Sequence, residues 1–196
     1  MKKIPTLFER VYENHKIVDI LPNVTPGMEW VLNGEGIATV KYDGSCCAII
    51  NGGLYKRYDA KKGKPIPNGA IKCQNEPDPI TGHMPCWVKC NINNPADKWF
   101  WAAYDYEIEM FGKYPDGTYE AIGKHFNGNP YNLNYDVLVR HGFETIIGIE
   151  RSFEGIRDYL EYNNDIEGIV FWKDGEAKCK IKRTDFGFDW NNKGRN

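Results

Sequence analysis

Lys41 and the three residues that follow it are the stretch best suited to covalent chemistry. Residues 38–50 read ATVKYDGSCCAII, so that Lys41 lies between two apolar runs and is followed by Tyr42 and the pair Asp43-Gly44. A free lysine has a pKa of about 10.4 and is protonated at neutral pH, so a nucleophilic lysine requires burial or neighbouring positive charge. The alternative interpretation of Lys41 is an ordinary charge at the end of a strand.

A second stretch could supply that positive charge. The segment EGIVFW places Glu167-Gly168 at the start of an apolar strand, and its return strand KCKIK carries Lys178, Lys180 and Lys182. A period of two puts these three lysines on one face of a strand, where they repel each other unless an anion such as a triphosphate lies over them. The alternative interpretation is a strand that faces solvent.

The elements that position these residues follow from periodicity and turn signals. Antiparallel hairpins outnumber helices, which predicts an α+β domain spanning residues 1–196. Two helices are expected, one over 5–15 with Thr6 and Glu9 as a capping box and one over 152–162 capped by Ser152. Two hairpins are expected, one over 36–50 with an Asp43-Gly44 turn and one of strands 166–172 and 176–182 around Asp174-Gly175. Single strands are expected in GGLYKRYDA, over 98–111 and in TYEAIG. Residues 60–97 are expected to form a long loop or lid.

Composition limits the possible classes of protein. Hydrophobic residues make up 41% of the 196 and charged residues 27%, as in soluble globular chains, and the formal net charge is −2. A nucleic-acid site would therefore have to be a local basic region, for which the tail over residues 188–196 and the lysines before it are candidates. No run is long and apolar enough to predict a signal peptide or a membrane span, so we expect a cytoplasmic protein without a membrane partner.

The six cysteines are expected to be reduced thiols. Cys46-Cys47 lies in an apolar run and is interpreted as packing. Cys73, His83, Cys86 and Cys90 fall within eighteen residues, and a zinc site there stays open because their spacing is not a usual one.

Together these segments resemble a known superfamily. The order Lys41-Tyr42-Asp43-Gly44, Arg57, Glu120, Glu167-Gly168 and Lys180-Ile181-Lys182 is similar to that of the covalent nucleotidyltransferases, which comprise ATP-dependent DNA and RNA ligases and mRNA capping enzymes. The segment YEAIGKHFNGNPYNL resembles the RNA-ligase form of the third motif of this superfamily. The segments GHMPCW, NGNPY, HGF, EGIVFW and KIKRTDFGFDW resemble more closely a small branch of 5′–3′ RNA ligases with a vertebrate representative implicated in RNA repair. The resemblance covers residues 36–190.

The resemblance implies a fold and a set of phosphate-directed roles. It implies an antiparallel-sheet nucleotidyltransferase domain, ATP-grasp-like with flanking helices, and no OB-fold is expected in the short remainder after Lys182. Lys41 would attack the α-phosphate of ATP and carry AMP. Lys180 would contact that phosphate, Lys182 would support it, and Glu167 would orient the nucleotide and bind Mg²⁺ or Mn²⁺.

Further positions carry implied nucleotide contacts. Asp43 and Gly44 would shape the pocket, Arg57 would lie near the ribose and later near the RNA 5′-phosphate, and Glu120 would bond the ribose hydroxyls. Phe126 is the nearest candidate for stacking on adenine, with His125, Tyr131 and Trp172 as alternatives. Glu107 is an alternative candidate for the ribose-binding glutamate. The segment AIGKHFNGNPY, which follows Glu120, favours Glu120.

The expected function is therefore an ATP-dependent RNA ligase. It would join a 5′-phosphate to a 3′-hydroxyl of RNA through a lysyl-AMP intermediate, and an end-healing enzyme would be the partner that prepares such ends. Two other functions stay open at this point. One is a DNA ligase or a capping-type guanylyltransferase of the same superfamily, and the other is a nucleotide- or RNA-binding module without catalysis.

Overall fold

The structure, a computed structural model, describes residues 1–14, 16–79, 81–112 and 114–190. In chain order the strands are β1 (Phe8–Glu13), β2 (Lys16–Val24), β3 (Ile37–Lys41), β4 (Ser45–Ile50), β5 (Gly53–Ala60), β6 (Ile71–Lys72), β7 (Met84–Lys89), β8 (Gly117–Gly123), β9 (Asp136–Arg140), β10 (Thr145–Ile146), β11 (Gly168–Lys173) and β12 (Glu176–Lys182). The α-helices are α1 (Lys98–Phe111) and α2 (Phe153–Tyr162). These strands pair antiparallel, which confirms the predicted α+β class with antiparallel sheets.

The described chain divides into two compact units, where the sequence predicted a single domain. The terminal unit contains the described residues of Ile4–Tyr42 and Gly142–Asn196, and the central unit contains Met1–Lys3 and Asp43–His141. Each unit has its own sheet, and each is described by itself below.

The terminal unit is built on a four-stranded sheet in the order β10-β3-β11-β12, with β1 and β2 as a separate hairpin. One face of this sheet forms the core, because alternate residues such as Ala38, Ile169, Phe171 and Ile181 are fully buried. Helix α2 packs Ile156 and Leu160 into the same core. The opposite face carries Lys41, Lys180 and Lys182 together with Thr39, Val170 and Trp172.

The central unit is built on a six-stranded sheet in the order β6-β7-β5-β4-β8-β9. Its core contains Cys47, Leu54, Tyr119 and Leu138 from the strands and Ala103 from helix α1. Residues on the alternate positions of β4 and β8, including Cys46 and Glu120, lie on the other face of the sheet.

Three expectations about local structure are confirmed. Helix α2 is capped by Ser152, whose Oγ accepts the Gly155 N–H at 2.9 Å. Strands β11 and β12 form a hairpin with positive φ at both Asp174 and Gly175, as a two-residue turn requires. The strands expected in GGLYKRYDA and TYEAIG are β5 and β8.

The predicted helix over residues 5–15 is wrong, because this segment contains strand β1. Leu7 N–H donates to the Lys180 carbonyl at 2.8 Å, and the Lys180 N–H donates to the Pro5 carbonyl at 3.0 Å. Pairing of this segment with β12 and then with β2 satisfies its backbone, which outweighs the local helix-start pattern of Thr6 and Glu9.

The predicted strand over residues 98–111 is also wrong, because these residues form helix α1. Asn94 Oδ1 accepts the Ala96 N–H at 3.0 Å, and Pro95 begins a 3-10 turn that leads directly into the helix. The aromatic side chains of this segment have a high strand propensity. The Asn94-Pro95 start of the helix and the packing of Ala103 against the sheet outweigh that propensity.

Two predictions about connectivity are corrected. Strands β3 and β4 do not form a hairpin with each other, because β3 pairs with β10 and β11 in the terminal unit and β4 pairs with β5 and β8 in the central unit. The segment 60–97 is not one long loop, because it contains β6 and β7, and β7 pairs with β5 over six residues.

Replacing the cap residue of α2 tests the packing of the terminal unit. We expect Ser152→Ala to lower the free energy of unfolding by about 1 kcal/mol, since the Gly155 N–H loses its partner in the first turn of helix α2. Urea unfolding measures the change. Ser152→Thr, which keeps a hydroxyl acceptor, is the control, and equal losses in both variants would contradict the capping role.

Candidate active site

The register of the terminal sheet brings the predicted lysines together. Gly168 on β11 is paired with Lys41 on β3 on one side and with Lys182 on β12 on the other. Residues opposite one another across strands share a face, so Lys41 and Lys182 flank a position without a side chain. Lys180 lies two residues before Lys182 and therefore on the same face, which confirms the predicted alternation of β12.

Gly168 is required where it stands. A Cβ on this residue would lie only 2.9 Å from the Cα of Lys182 and still closer to the carbonyl oxygen of Ile181. Both of these are backbone atoms that cannot move without breaking the pairing of β11 and β12. The glycine of the Glu167-Gly168 pair thus keeps the lysine-bearing strands at normal sheet spacing.

Glu167 is the acidic partner of this lysine cluster. The carboxylate is buried, with 4% of the residue exposed, and it forms ion pairs with Lys41 Nζ through Oε2 and with Lys182 Nζ through Oε1. Lys41 Nζ also lies 3.4 Å from the Tyr42 carbonyl oxygen, as a donor. A single carboxylate therefore holds two of the predicted lysines in place.

Lys180 has a strongly perturbed environment. Burial, followed by the charges of Lys41, Lys182 and Arg10, lowers the pKa of Lys180 from 10.5 to about 8, while the charge of Glu167 acts in the opposite direction. The protonated amine is therefore held under electrostatic strain. An anion bound among these cations would relieve it.

Arg10 is a member of this cluster that the sequence analysis missed. Its Nη2 donates to Asp185 Oδ1 at 2.6 Å, and Asp185 Oδ2 in turn accepts the Lys182 N–H at 2.9 Å. Arg10 lies on β1 beside the segment that pairs with Lys180. Because residues 5–15 were expected to form a helix, no signal connected this arginine to β12.

The remaining predicted residues lie in the central unit, where Asp43 and Gly44 are held by hydrogen bonds. Tyr131 Oη accepts the Asp43 N–H at 2.6 Å, and Asn127 Nδ2 donates to Asp43 Oδ1 at 2.8 Å and to the Gly44 carbonyl at 2.7 Å. Glu120 Oε1 accepts the Gly44 N–H at 3.1 Å. The NGNPY segment thus fixes the Asp43-Gly44 turn.

Glu120 is oriented by a histidine that the sequence analysis did not single out. His141 Nε2 lies 3.0 Å from Glu120 Oε2, and His141 Nδ1 lies 3.0 Å from Thr118 Oγ1. Cys46 is paired with Glu120 across β4 and β8. The competing candidate Glu107 lies in helix α1, and its side chain is outside the described residues.

Arg57 and Phe126 have structural partners of their own. Arg57 donates to Asp59 Oδ1 and to the Met1 carbonyl, both at 2.6 Å. Phe126 is buried in the core of the central unit, with its ring edge against Phe100, and this position favours packing over stacking on a base. The identity of the residue that stacks on adenine stays a prediction.

The cysteine cluster proposed from spacing does not assemble. Within the described ranges, the residues that approach closely enough to hold a metal ion are Cys46, Glu120 and His141, and no three of Cys73, His83, Cys86 and Cys90 do so. Lys193 and Arg195 of the predicted basic tail lie outside the described residues. No helix in the described part of the chain is long and apolar enough to cross a membrane.

Comparison with known proteins gives a distant relationship. The chain is 27% identical over 142 residues to RNA ligase 1 from Pongo abelii, covering 56% of this chain and 42% of that protein. It is 25% identical over 228 aligned positions to RNA ligase 1 from Rattus norvegicus, covering 80% of this chain and 69% of that protein. No family model matches the chain. These identities support a relationship to an RNA ligase family at most.

Removing the charge of Glu167 tests its role in the lysine cluster. We expect Glu167→Gln to lower the free energy of unfolding by about 2 kcal/mol, because Lys41 and Lys182 lose their buried partner. Urea unfolding at neutral pH measures the change. Glu176→Gln is the matched control, since Glu176 pairs with Lys178 at an exposed site where a loss below about 1 kcal/mol is expected.

Removing the charge of Lys180 should have the opposite effect on stability. The lowered pKa means that the unfolded chain binds more protons at this site than the folded chain between pH 8 and 10.5, so stability rises with pH through that window. We expect Lys180→Met to raise Tm at neutral pH by roughly 2–4 °C. The stability of this variant should also not increase between pH 8 and 10.5.

Thermal unfolding at neutral pH and at about pH 9.5 measures both effects. Lys178→Met, on the same strand and face but paired with Glu176, is the control. An identical pH dependence in Lys180→Met and the unmodified protein would show that Lys180 is an ordinary surface lysine.

Proposed function

We propose that this protein is an ATP-dependent RNA ligase that joins 5′-phosphate and 3′-hydroxyl ends of RNA. The observation that carries the proposal is the arrangement of Lys41, Glu167 and Lys182 around Gly168, with the perturbed Lys180 beside them. The distant similarity to proteins named RNA ligase 1 supports the same function. The chain spans 42% of one of these relatives, so the activity of the whole protein is part of the proposal.

The proposed reaction has three steps. The amine of Lys41 attacks the α-phosphorus of ATP and the bond to the β-phosphate oxygen breaks, so that pyrophosphate leaves, the amine proton passes to solvent and a lysyl-AMP phosphoramide is formed. The RNA 5′-phosphate then attacks the same phosphorus and releases Lys41, giving an RNA end capped by AMP. The 3′-hydroxyl of the second RNA end finally attacks the 5′-phosphate, which forms the phosphodiester and releases AMP.

The lysine cluster supplies what these steps need. Catalysis of phosphoryl-type transfer consists mainly of positioning and charge stabilisation. Lys180 and Lys182 would neutralise the charge that develops on the phosphate oxygens. Arg10 would add to the same positive field.

The carboxylate of Glu167 fits a magnesium ion, because Mg²⁺ is commonly bound by one or two carboxylates with the remaining positions filled by water and substrate phosphates. Both carboxylate oxygens of Glu167 are ion-paired with lysines. Glu167 would therefore have to release one of these lysines in order to bind the ion. A bound magnesium ion would supply charge neutralisation on the phosphates. Glu167 itself would orient Lys41 before and after the reaction.

The central unit is proposed to recognise the nucleoside. Glu120 would accept hydrogen bonds from the ribose hydroxyls, and the Asp43-Gly44 turn would contribute backbone groups beside it. Arg57 would contact the ribose and then the RNA 5′-phosphate. The contacts of Arg57 with Asp59 and the Met1 carbonyl hold its side chain in one orientation for that purpose.

Formation of the covalent intermediate tests this function directly. With α-labelled ATP and Mg²⁺, we expect an acid-stable protein-AMP adduct that is absent in Lys41→Ala and in Lys41→Arg, because neither variant has a neutral amine. Lys180→Ala and Lys182→Ala should slow adduct formation by at least about 100-fold. Lys178→Ala is the matched control and should retain the rate of the unmodified protein.

Labelled GTP and a panel of nicked RNA, single-stranded RNA and DNA substrates separate this function from its relatives. An adduct formed with GTP alone would indicate a capping-type enzyme, and sealing of DNA alone would indicate a DNA ligase. If no adduct forms with either nucleotide, or if Lys41→Ala still forms one, the proposed mechanism is wrong.

A further inference from the structure

A group of three chemically different side chains meets on the sheet of the central unit. Cys46 on β4 is paired with Glu120 on β8, and His141 directly follows β9. The thiol sulfur, a carboxylate oxygen and an imidazole nitrogen all lie within 4.8 Å of one another. All three residues are partly exposed, so an ion could reach them from solvent.

The donor set is the one that zinc prefers. Zn²⁺ is bound by cysteine sulfur, histidine nitrogen and carboxylate oxygen, and sites with three protein ligands keep the fourth position for water or another ligand. Magnesium and calcium are bound by oxygen ligands and would not use a thiolate. The chemistry of the cluster thus selects a thiophilic divalent transition metal.

Outer contacts orient two of the three donors. His141 Nε2–H donates to Glu120 Oε2 in the metal-free protein; when a metal ion is bound, the proton can instead lie on Nδ1 and be donated to Thr118 Oγ1, 3.0 Å away, which leaves the Nε2 lone pair for the ion. Glu120 Oε1 accepts the Gly44 N–H at 3.1 Å, so that Oε2 faces His141. Hydrogen bonds of this kind fix the tautomer and orientation of metal ligands in proteins.

The sheet also separates Cys46 from its neighbour. Cys47 points to the opposite face and is fully buried in the core of the central unit. A metal ion binds the thiolate and so displaces the thiol proton, and a dication compensates the charges of the thiolate and of the Glu120 carboxylate.

We propose that Cys46, Glu120 and His141 form a binding site for a divalent transition metal, with Zn²⁺ as the preferred ion. Binding forms the metal–sulfur bond and releases the thiol proton to solvent. The site also regulates the protein, in a part of the proposal that rests on the proposed function. Glu120 cannot coordinate the metal ion and accept hydrogen bonds from both ribose hydroxyls at the same time, so zinc competes with ATP.

Titration of the reduced, full-length protein with Co²⁺ tests the site without any nucleotide. Thiolate ligation gives a charge-transfer absorption band in the near ultraviolet, and we expect it to saturate at about one Co²⁺ per chain and to disappear when Zn²⁺ is added. Cys46→Ala should lose the band. Cys47→Ala is the matched control and should retain it, since that thiol lies on the other face of the sheet.

A second variant keeps the test valid if Cys46→Ala is unstable. His141→Gln retains the thiol and should keep the band but weaken Co²⁺ binding by roughly 10–100-fold or more, as loss of a ligand requires. Circular dichroism shows whether each variant is folded. Absence of the band in the unmodified protein, or its persistence in folded Cys46→Ala, would overturn the metal site.

Competition is measured separately, as adduct formation from labelled ATP with and without Zn²⁺. We expect Zn²⁺ to raise the ATP concentration needed for half-maximal adduct in the unmodified protein but not in Cys46→Ala, which retains Glu120. If the cobalt band forms and no adduct is made even without zinc, the proposed function fails while the site stands. If zinc leaves the ATP dependence unchanged, the regulatory part is wrong.

Discussion

The two ion pairs of Glu167 are the interaction on which the lysine-bearing face depends. Lys41 and Lys182 approach Gly168 from opposite sides, and Lys180 and Arg10 add charge nearby, so that the face concentrates four cations. Glu167 and Asp185 supply two negative charges against them. Burying charge without a partner costs several kcal/mol per ion, so this arrangement requires the buried carboxylate.

The same balance leaves the face positively charged when all four cations are protonated. The lowered pKa of Lys180 is the local sign of that excess. The repulsion among these cations lowers the stability of the fold but raises its affinity for an anion, because a bound anion removes that repulsion and also accepts hydrogen bonds from the cations. The sheet register and the excess of charge thus both support the proposal that this face of the terminal unit binds a phosphate-containing ligand.

Much of this arrangement could be predicted because it follows from local rules. The alternation of Lys178, Lys180 and Lys182 and the Asp174-Gly175 turn determine β12 and its hairpin without reference to the rest of the chain. The helix α1 and the strand β1 were misassigned because distant backbone pairing and core packing override propensity there. Arg10 and His141 could not be found for a related reason, since each depends on which strands become neighbours.

Glu120 has a part in both proposals, as the acceptor for the ribose hydroxyls and as a ligand of the metal ion. A carboxylate has about four acceptor positions on its two oxygens, and the hydrogen bonds described above use one on Oε1 for Gly44 and one on Oε2 for His141. A ribose hydroxyl can occupy a remaining position without releasing Gly44, so the turn after Lys41 keeps its anchor while a nucleotide is bound. A metal ion would instead occupy Oε2 between His141 and Cys46. The two ligands therefore compete for the acceptor positions that Gly44 leaves on this carboxylate, while Oε1 can hold the Gly44 N–H in both cases.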